Sequence, residues 1–132
     1  MVVKWAVPEE YSQEARRLLE SEHDLVAPDI LRVETANALL KKVRRRELAR
    51  EDARAAIEAL SGYLQLSPTE VVFEHGVDVS LEFGCTFFDG LYVAFALLEG
   101  CPLVTGDLRL IRMLPGSFAG EVVWVGDLTA GV

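Results

Sequence analysis

The chain has few cysteines, few lysines and histidines, and no long apolar run. Its two cysteines, Cys85 and Cys101, make neither a disulfide framework nor a zinc set. A reduced, buried state is expected for both. His23 and His75 stand 52 positions apart, with no neighbour at ligand spacing, and read as surface or satisfied histidines. The longest apolar run, Leu91 to Leu98, falls far short of the roughly 20 residues of a membrane span and reads as a buried helix. Met1 is followed by Lys4 and then by acids, which is not the pattern of a signal peptide. A cytoplasmic protein with no membrane partner is expected. Gly-x-x-x-x-Gly-Lys-Ser/Thr, Gly-x-Gly-x-x-Gly and Gly-x-Ser-x-Gly are all missing, so neither a nucleotide-phosphate cradle nor a nucleophile elbow is signalled.

What remains is an ordinary globular composition. The 132 residues are 51% hydrophobic and 26% charged, with a net charge of −8. That length fits one domain with a sizeable core. The charge is uneven. Lys41 to Arg50 holds six bases and one acid, so this window carries +5 and the rest of the chain −13. Such a field repels a polyanion except at one patch or at a bound metal; the alternative is a solvated helix end with cations near the C-terminal dipole.

Along the chain, Pro8 to Glu22 predicts a helix, with Pro8 in the first turn and Tyr11, Ala15, Leu18 and Leu19 at helical spacing. Leu25 to Ala27 predicts a short strand. A long helix follows from Asp29, a plausible N-cap, to about Arg46, with Ile30, Val33, Ala36, Leu40 and Val43 as its apolar stripe. Glu51 to Leu64 is a third helix, and Leu64 to Leu66 a second short strand. Thr69 to Phe83 is helical but interrupted by Gly76. Phe87 to Glu99 is apolar nearly all round, which predicts burial against a sheet. Leu103 to Thr105 is a strand, Asp107 to Leu114 a short helix and Glu121 to Val125 a last strand. This alternation predicts an α/β fold with a parallel sheet covered on both faces, although the strands are few for that architecture.

Parallel sheets place their sites at the carboxyl ends of strands. Asp107 stands just past Leu103–Thr105, where it is either an N-cap or a site residue. Thr86-x-x-Asp89 matches a capping box with Asp in place of Glu. Against pure capping, Phe87, Phe88, Leu91, Tyr92 and Phe95 crowd that turn, and a carboxylate among them is costly unless paired or metal-bound. Glu34 lies inside a helix and is no cap. It flanks the apolar stripe beside Asn37 and is either an exposed glutamate or a ligand. Three carboxylates from three elements suit a hard cation such as Mg²⁺ or Mn²⁺ with waters and a substrate phosphate. A receiver-like signalling module also clusters acids, but it needs a lysine after its last site strand, and the lysines here are Lys4, Lys41 and Lys42.

Four stretches carry a family likeness: Val2 to Glu10 (VVKWAVPEE), Ala27 to Leu39 (APDILRVETANAL), Thr86 to Ala96 (TFFDGLYVAFA) and Pro102 to Asp107 (PLVTGD). In order and spacing they resemble the PIN-domain ribonucleases, in particular VapC-type toxins of toxin–antitoxin pairs. The resemblance implies a three-layer α/β fold with a central parallel sheet of short strands flanked by helices. It implies an endoribonuclease dependent on Mg²⁺ or Mn²⁺, acting on RNA, restrained by a VapB-type antitoxin and often homodimeric. The family's second, third and fourth acids map onto Glu34, Asp89 and Asp107, with Thr105 beside the last. The family's first acid ends a hydrophobic strand, and its position falls upstream of Met1. The expectation is therefore a single PIN-like domain, residues 1–132, lacking that strand and that acid. Either the natural start is earlier, or Val2 to Val7 takes the strand's place and brings Glu9 or Glu10 to the metal position. A non-catalytic scaffold that binds antitoxin or RNA is the alternative to the nuclease.

Overall fold

The computed structural model describes residues 3–6, 12–115, 118 and 120–128. They divide into two compact units, Met1–Ser67 with Leu128–Val132, and Pro68–Asp127. The first unit contains α1 (Val3–Ala6), α2 (Ser12–Glu20), β1 (Val26–Pro28), α3 (Ile30–Arg44), α4 (Arg50–Tyr63) and β2 (Gln65–Ser67). The second contains a 3₁₀ turn (Thr69–Val72), α5 (Phe73–Phe83), α6 (Phe87–Glu99), β3 (Leu103–Thr105), α7 (Leu108–Met113), β4 (Val122–Trp124) and a second 3₁₀ turn (Val125–Asp127). Each unit has one parallel strand pair. Ala27 lies opposite Leu66 in β1–β2, and Val104 opposite Val123 in β3–β4. Parallel pairing requires a crossover; α3 and α4 supply it in the first unit. This is the expected α/β pattern of helices and short parallel strands. No helix among the described residues is long and apolar enough to cross a membrane.

In the first unit, Leu60 and Leu64 are buried with Trp5, Leu25, Leu31 and Leu66 packed against them. Leu39 and Ala53 form a second cluster with Val43, Leu48, Ala56 and Ile57. The buried face of α3 therefore runs through Leu31, Thr35, Leu39 and Val43, a strict i, i+4 row. The expected stripe was offset from it: Val33 is 63% exposed and Leu40 46%. Two apolar residues had been assigned to the wrong face because Thr35, a polar residue, takes a core position. Asp29 holds the N-cap position of α3 without a side-chain capping bond. Its backbone is already helical (φ −68°, ψ −13°), whereas a capping side chain reaches its target from an extended backbone.

The segment considered as a replacement strand is a helical turn from Val3 to Ala6. Trp5 anchors it: the indole Nε1 donates to the Ala15 carbonyl at 2.8 Å, and the ring meets Tyr63 edge-on at 6.4 Å. β propensity expresses fit to a sheet, and here the valine-rich segment docks on helices instead. The predicted helix from Pro8 is described only from Ser12; Pro8, Glu9, Glu10 and Tyr11 lie outside the described residues.

In the second unit, Gly76 does not interrupt α5 but is the reason α5 can meet α6. A Cβ on Gly90 would sit 2.5 Å from the Gly76 carbonyl oxygen, and one on Gly76 2.8 Å from Leu91 Cδ2. The two helices, bent 114° from one another, thus touch backbone to backbone. The connection between them turns at Gly84, which adopts φ +74°. Ser80 Oγ then donates to the Cys85 carbonyl at 2.6 Å and closes the corner. Leu91, Val93, Ala94 and Phe95 of α6 are buried, but Phe88, Leu97 and Leu98 are exposed. Burial of α6 is therefore broad but not all round.

The packing predicts opposite outcomes for two Gly→Ala changes. Gly90→Ala drives a methyl into backbone, which cannot swing aside, and overpacking of this kind costs about 1–3 kcal/mol or more. Gly62→Ala, in α4 with nothing within 4 Å of the added carbon, should gain roughly 0.5–1 kcal/mol of helix propensity. Thermal denaturation of both variants reads this directly. A Gly90→Ala protein as stable as the parent would refute the close approach.

Candidate metal centre

Helix α6 begins at the corner closed by Ser80. Thr86 is its N-cap, and its Oγ1 accepts the Asp89 N–H at 3.1 Å. The capping-box reading of this turn is thus correct as far as Thr86 is concerned. The Asp89 side chain is half-buried. Its carboxyl is raised above the ordinary carboxylate range, chiefly by desolvation. The hydrogen bond with the Thr86 side chain opposes this; the negative charge of Asp107 adds to it, and the positive charge of Arg109 counters it. Cys85, buried just before the turn, has its thiol pushed up by desolvation and by the charge of Asp89.

Asp107 reaches the same place from β3. The strand ends at Thr105, whose Oγ1 accepts the Asp107 N–H at 3.0 Å. Asp107 in turn caps α7: its Oδ1 accepts the Arg109 N–H at 2.9 Å. Oδ1 also lies 3.5 Å from Nε of the Arg109 guanidinium. Thr105, Asp107 and Arg109 are thus tied together, and the charge of Asp107 is felt at Asp89 in the same unit. Asp107 caps α7 with its carboxylate, whereas Asp89 takes part in the cap of α6 through its backbone N–H. Capping uses part of a carboxylate, which has about four lone-pair directions.

Glu34 belongs to the first unit. It is half-buried on α3, one position before the buried Thr35, while Asn37 is exposed. Among the described residues of either unit, no three His, Cys, Asp or Glu side chains gather as a metal-holding group. Asp89 and Asp107 are oxygen donors of the kind a hard cation takes. Two oxygen donors of like charge, one of them partly desolvated, repel one another, and Mg²⁺ is commonly held by one or two carboxylates together with waters and phosphate oxygens. His23 and His75 are exposed, and Cys85 and Cys101 are free thiols.

The sequence reading overlooked Arg109. The signal was present: a base two positions after a strand-end aspartate, where the first turn of a helix folds it back. The basic window also has a definite place. Lys41, Arg44, Arg45, Arg46 and Arg50 are exposed at the end of α3 and the turn that follows, while Lys42 pairs with Glu47 at 3.7 Å. Between α3 and α4 runs a groove of about 580 Å³, with Leu40, Val43 and Ile57 among its lining and Arg32, Arg50 and Arg54 on it.

The raised Asp89 carboxyl has a definite pH signature. Between the ordinary value of 3.8 and its raised value, the folded state holds a proton that the unfolded state has released. Stability therefore falls as pH climbs through that window. Asp89→Asn removes the titration while leaving the backbone N–H that Thr86 accepts. Its melting temperature should gain on the parent's as pH rises from below 3.8 to 7, measured without divalent cations. A gap that stays constant or shrinks would contradict the burial of the charge.

The chain matches the family model described as PIN domain over residues 1–113. It is 32% identical over 112 residues to Ribonuclease VapC3 of Pyrobaculum aerophilum, covering 83% of this chain and 86% of the relative. It is 38% identical over 88 residues to Ribonuclease VapC1 of Mycobacterium tuberculosis, covering 64% of this chain and 63% of the relative. By the extent of these matches and by its fold, the chain belongs to the PIN-domain family.

Proposed function

We propose that this protein is a divalent-metal-dependent endoribonuclease of the VapC type, with Asp89 and Asp107 as the core of its metal site. The observation that carries the proposal is that two carboxylates at helix starts, Asp89 in the first turn of α6 and Asp107 just past β3, are electrostatically coupled, the charge of Asp107 helping to raise the Asp89 carboxyl. The names of the relatives, both ribonucleases, supply the reaction class. Glu34 is the third ligand of this reading, contributed by α3. A VapB-type antitoxin and a homodimeric assembly belong to the same reading.

Asp89 and Asp107 would hold Mg²⁺ or Mn²⁺. The chemistry supplied by the bound ion is activation of a water and neutralisation of charge building on the scissile phosphate. The protein's own part is positional. Thr86 fixes the turn that carries Asp89, and Thr105 fixes the backbone of Asp107. Both aspartates thereby sit at helix starts, and the hydrogen bond with the Thr86 side chain works against the desolvation of Asp89. The exposed bases of the Lys41–Arg50 window give a chain of net charge −8 one region that attracts a polyanion.

Asp89→Asn and Asp107→Asn should each reduce Mn²⁺-dependent cleavage of RNA by more than the roughly 10–100-fold that changes outside the ligand shell cost. Both should stay folded, because Asn can also cap a helix. Calorimetry should show Mn²⁺ binding to the parent, weakened in both variants, and EDTA should stop cleavage by the parent. A parent that binds Mn²⁺ without cutting RNA would be the non-catalytic scaffold. One that cuts RNA equally well in EDTA would sink the metal site.

A further inference from the structure

We propose that Arg109 is the phosphate-positioning residue of this site, and that its pairing with Asp107 is a resting contact which a bound divalent cation replaces. The inference rests on the nuclease reading and deepens it by assigning the group that receives the RNA backbone. Three observations carry it. The Arg109 guanidinium lies 3.5 Å from Asp107 Oδ1 through Nε, yet its side chain is 85% exposed. Its positive charge is also felt at Asp89. Its structural duty, closing the first turn of α7, is done by the backbone N–H alone. The side chain is therefore not needed for folding, and an exposed pair of this kind adds little stability.

A guanidinium at this position has two uses at different stages. Before a cation arrives, it offsets part of the repulsion between Asp107 and Asp89. Once the carboxylates are neutralised by a cation, the same guanidinium has lost its counter-charge and lies beside a positive centre, where a phosphodiester is the complementary partner. Arginine suits that role because its planar fork matches two phosphate oxygens at once.

The two stages predict effects of opposite sign from one substitution. Arg109→Ala in the full chain should bind Mn²⁺ several-fold more tightly by calorimetry, because a competing cation is gone. The same variant should lose about 10-fold or more in kcat/KM for RNA, mainly through KM. The slope of log KM against log salt should become shallower by about 0.7, the value for one phosphate contact on a single strand. Arg109→Lys should recover part of kcat/KM, and the melting temperatures of all three proteins should agree in the absence of metal. If Arg109→Ala binds Mn²⁺ no more tightly, or cleaves with unchanged kcat/KM, the assignment is overturned while the nuclease reading stands. If the parent neither binds Mn²⁺ nor cleaves RNA, both fall together. A lowered melting temperature in both variants would give Arg109 a structural role instead.

Discussion

The contact between Gly76 and Gly90 is the constraint on which the second unit depends. Two helices can cross backbone to backbone only where neither carries a side chain, and here a carbonyl oxygen occupies the space a Cβ would take. The crossing fixes where α6 starts. The start of α6 fixes Thr86 and Asp89, and the burial of Leu91, Val93, Ala94 and Phe95 holds the helix in that place. Asp89 immediately precedes Gly90, so the residue that lets the helices approach and the residue that bears the charge are adjacent. Close packing at that turn is also what dehydrates the carboxyl. The raised pKa is thus a consequence of the packing, not an independent property of the aspartate.

The electrostatics follow from that placement. A protein of net charge −8 that keeps a partly dehydrated carboxylate beside a second one works against its own stability unless something positive arrives. Within the unit, two groups reduce the strain. The Thr86 side chain hydrogen-bonds Asp89, and Arg109 offers a charge to both aspartates. Neither removes it, since the Asp89 carboxyl stays raised with both in place. Asp89 and Asp107 would hold a divalent cation, whose charge would offset the repulsion that the guanidinium leaves.

Much of this was legible in the sequence, and the parts that were not have physical reasons. The bounds of α6 and β3 could be read directly, because Thr86 and Gly100 bracket a predominantly apolar stretch and Gly106-Asp107 follows the short apolar run of β3. The face of α3 was not. Hydrophobic periodicity takes Val33 and Leu40 as inward residues, but the core accepts Thr35 in their stead. Gly76 was read as a break because glycine lowers helix propensity; its packing role depends on Gly90, fourteen positions later, which no local rule consults. Val3–Ala6 has strand composition and helical structure, because Trp5 finds its partners on Ala15, Leu60 and Leu64. Asp89 stands out in the sequence by the aromatic residues around it and Asp107 by its place just past a strand, whereas their electrostatic coupling depends on the fold.

Capping and metal binding are competing explanations for Asp89 and Asp107 in the sequence, and the capping contacts leave room for both. Thr86 Oγ1 takes the N–H of Asp89, while Asp107 Oδ1 takes the N–H of Arg109. Both interactions tie the carboxylate-bearing backbone to a helix start. A ligand for a hard cation must be held to within a fraction of an ångström, and a flexible carboxylate on a loop meets that demand poorly. A cap supplies the rigidity without exhausting the lone pairs. The bonds that tie Asp89 and Asp107 to helix starts would also hold a cation's ligands in place, so a capping bond at such a position does not count against the proposed site.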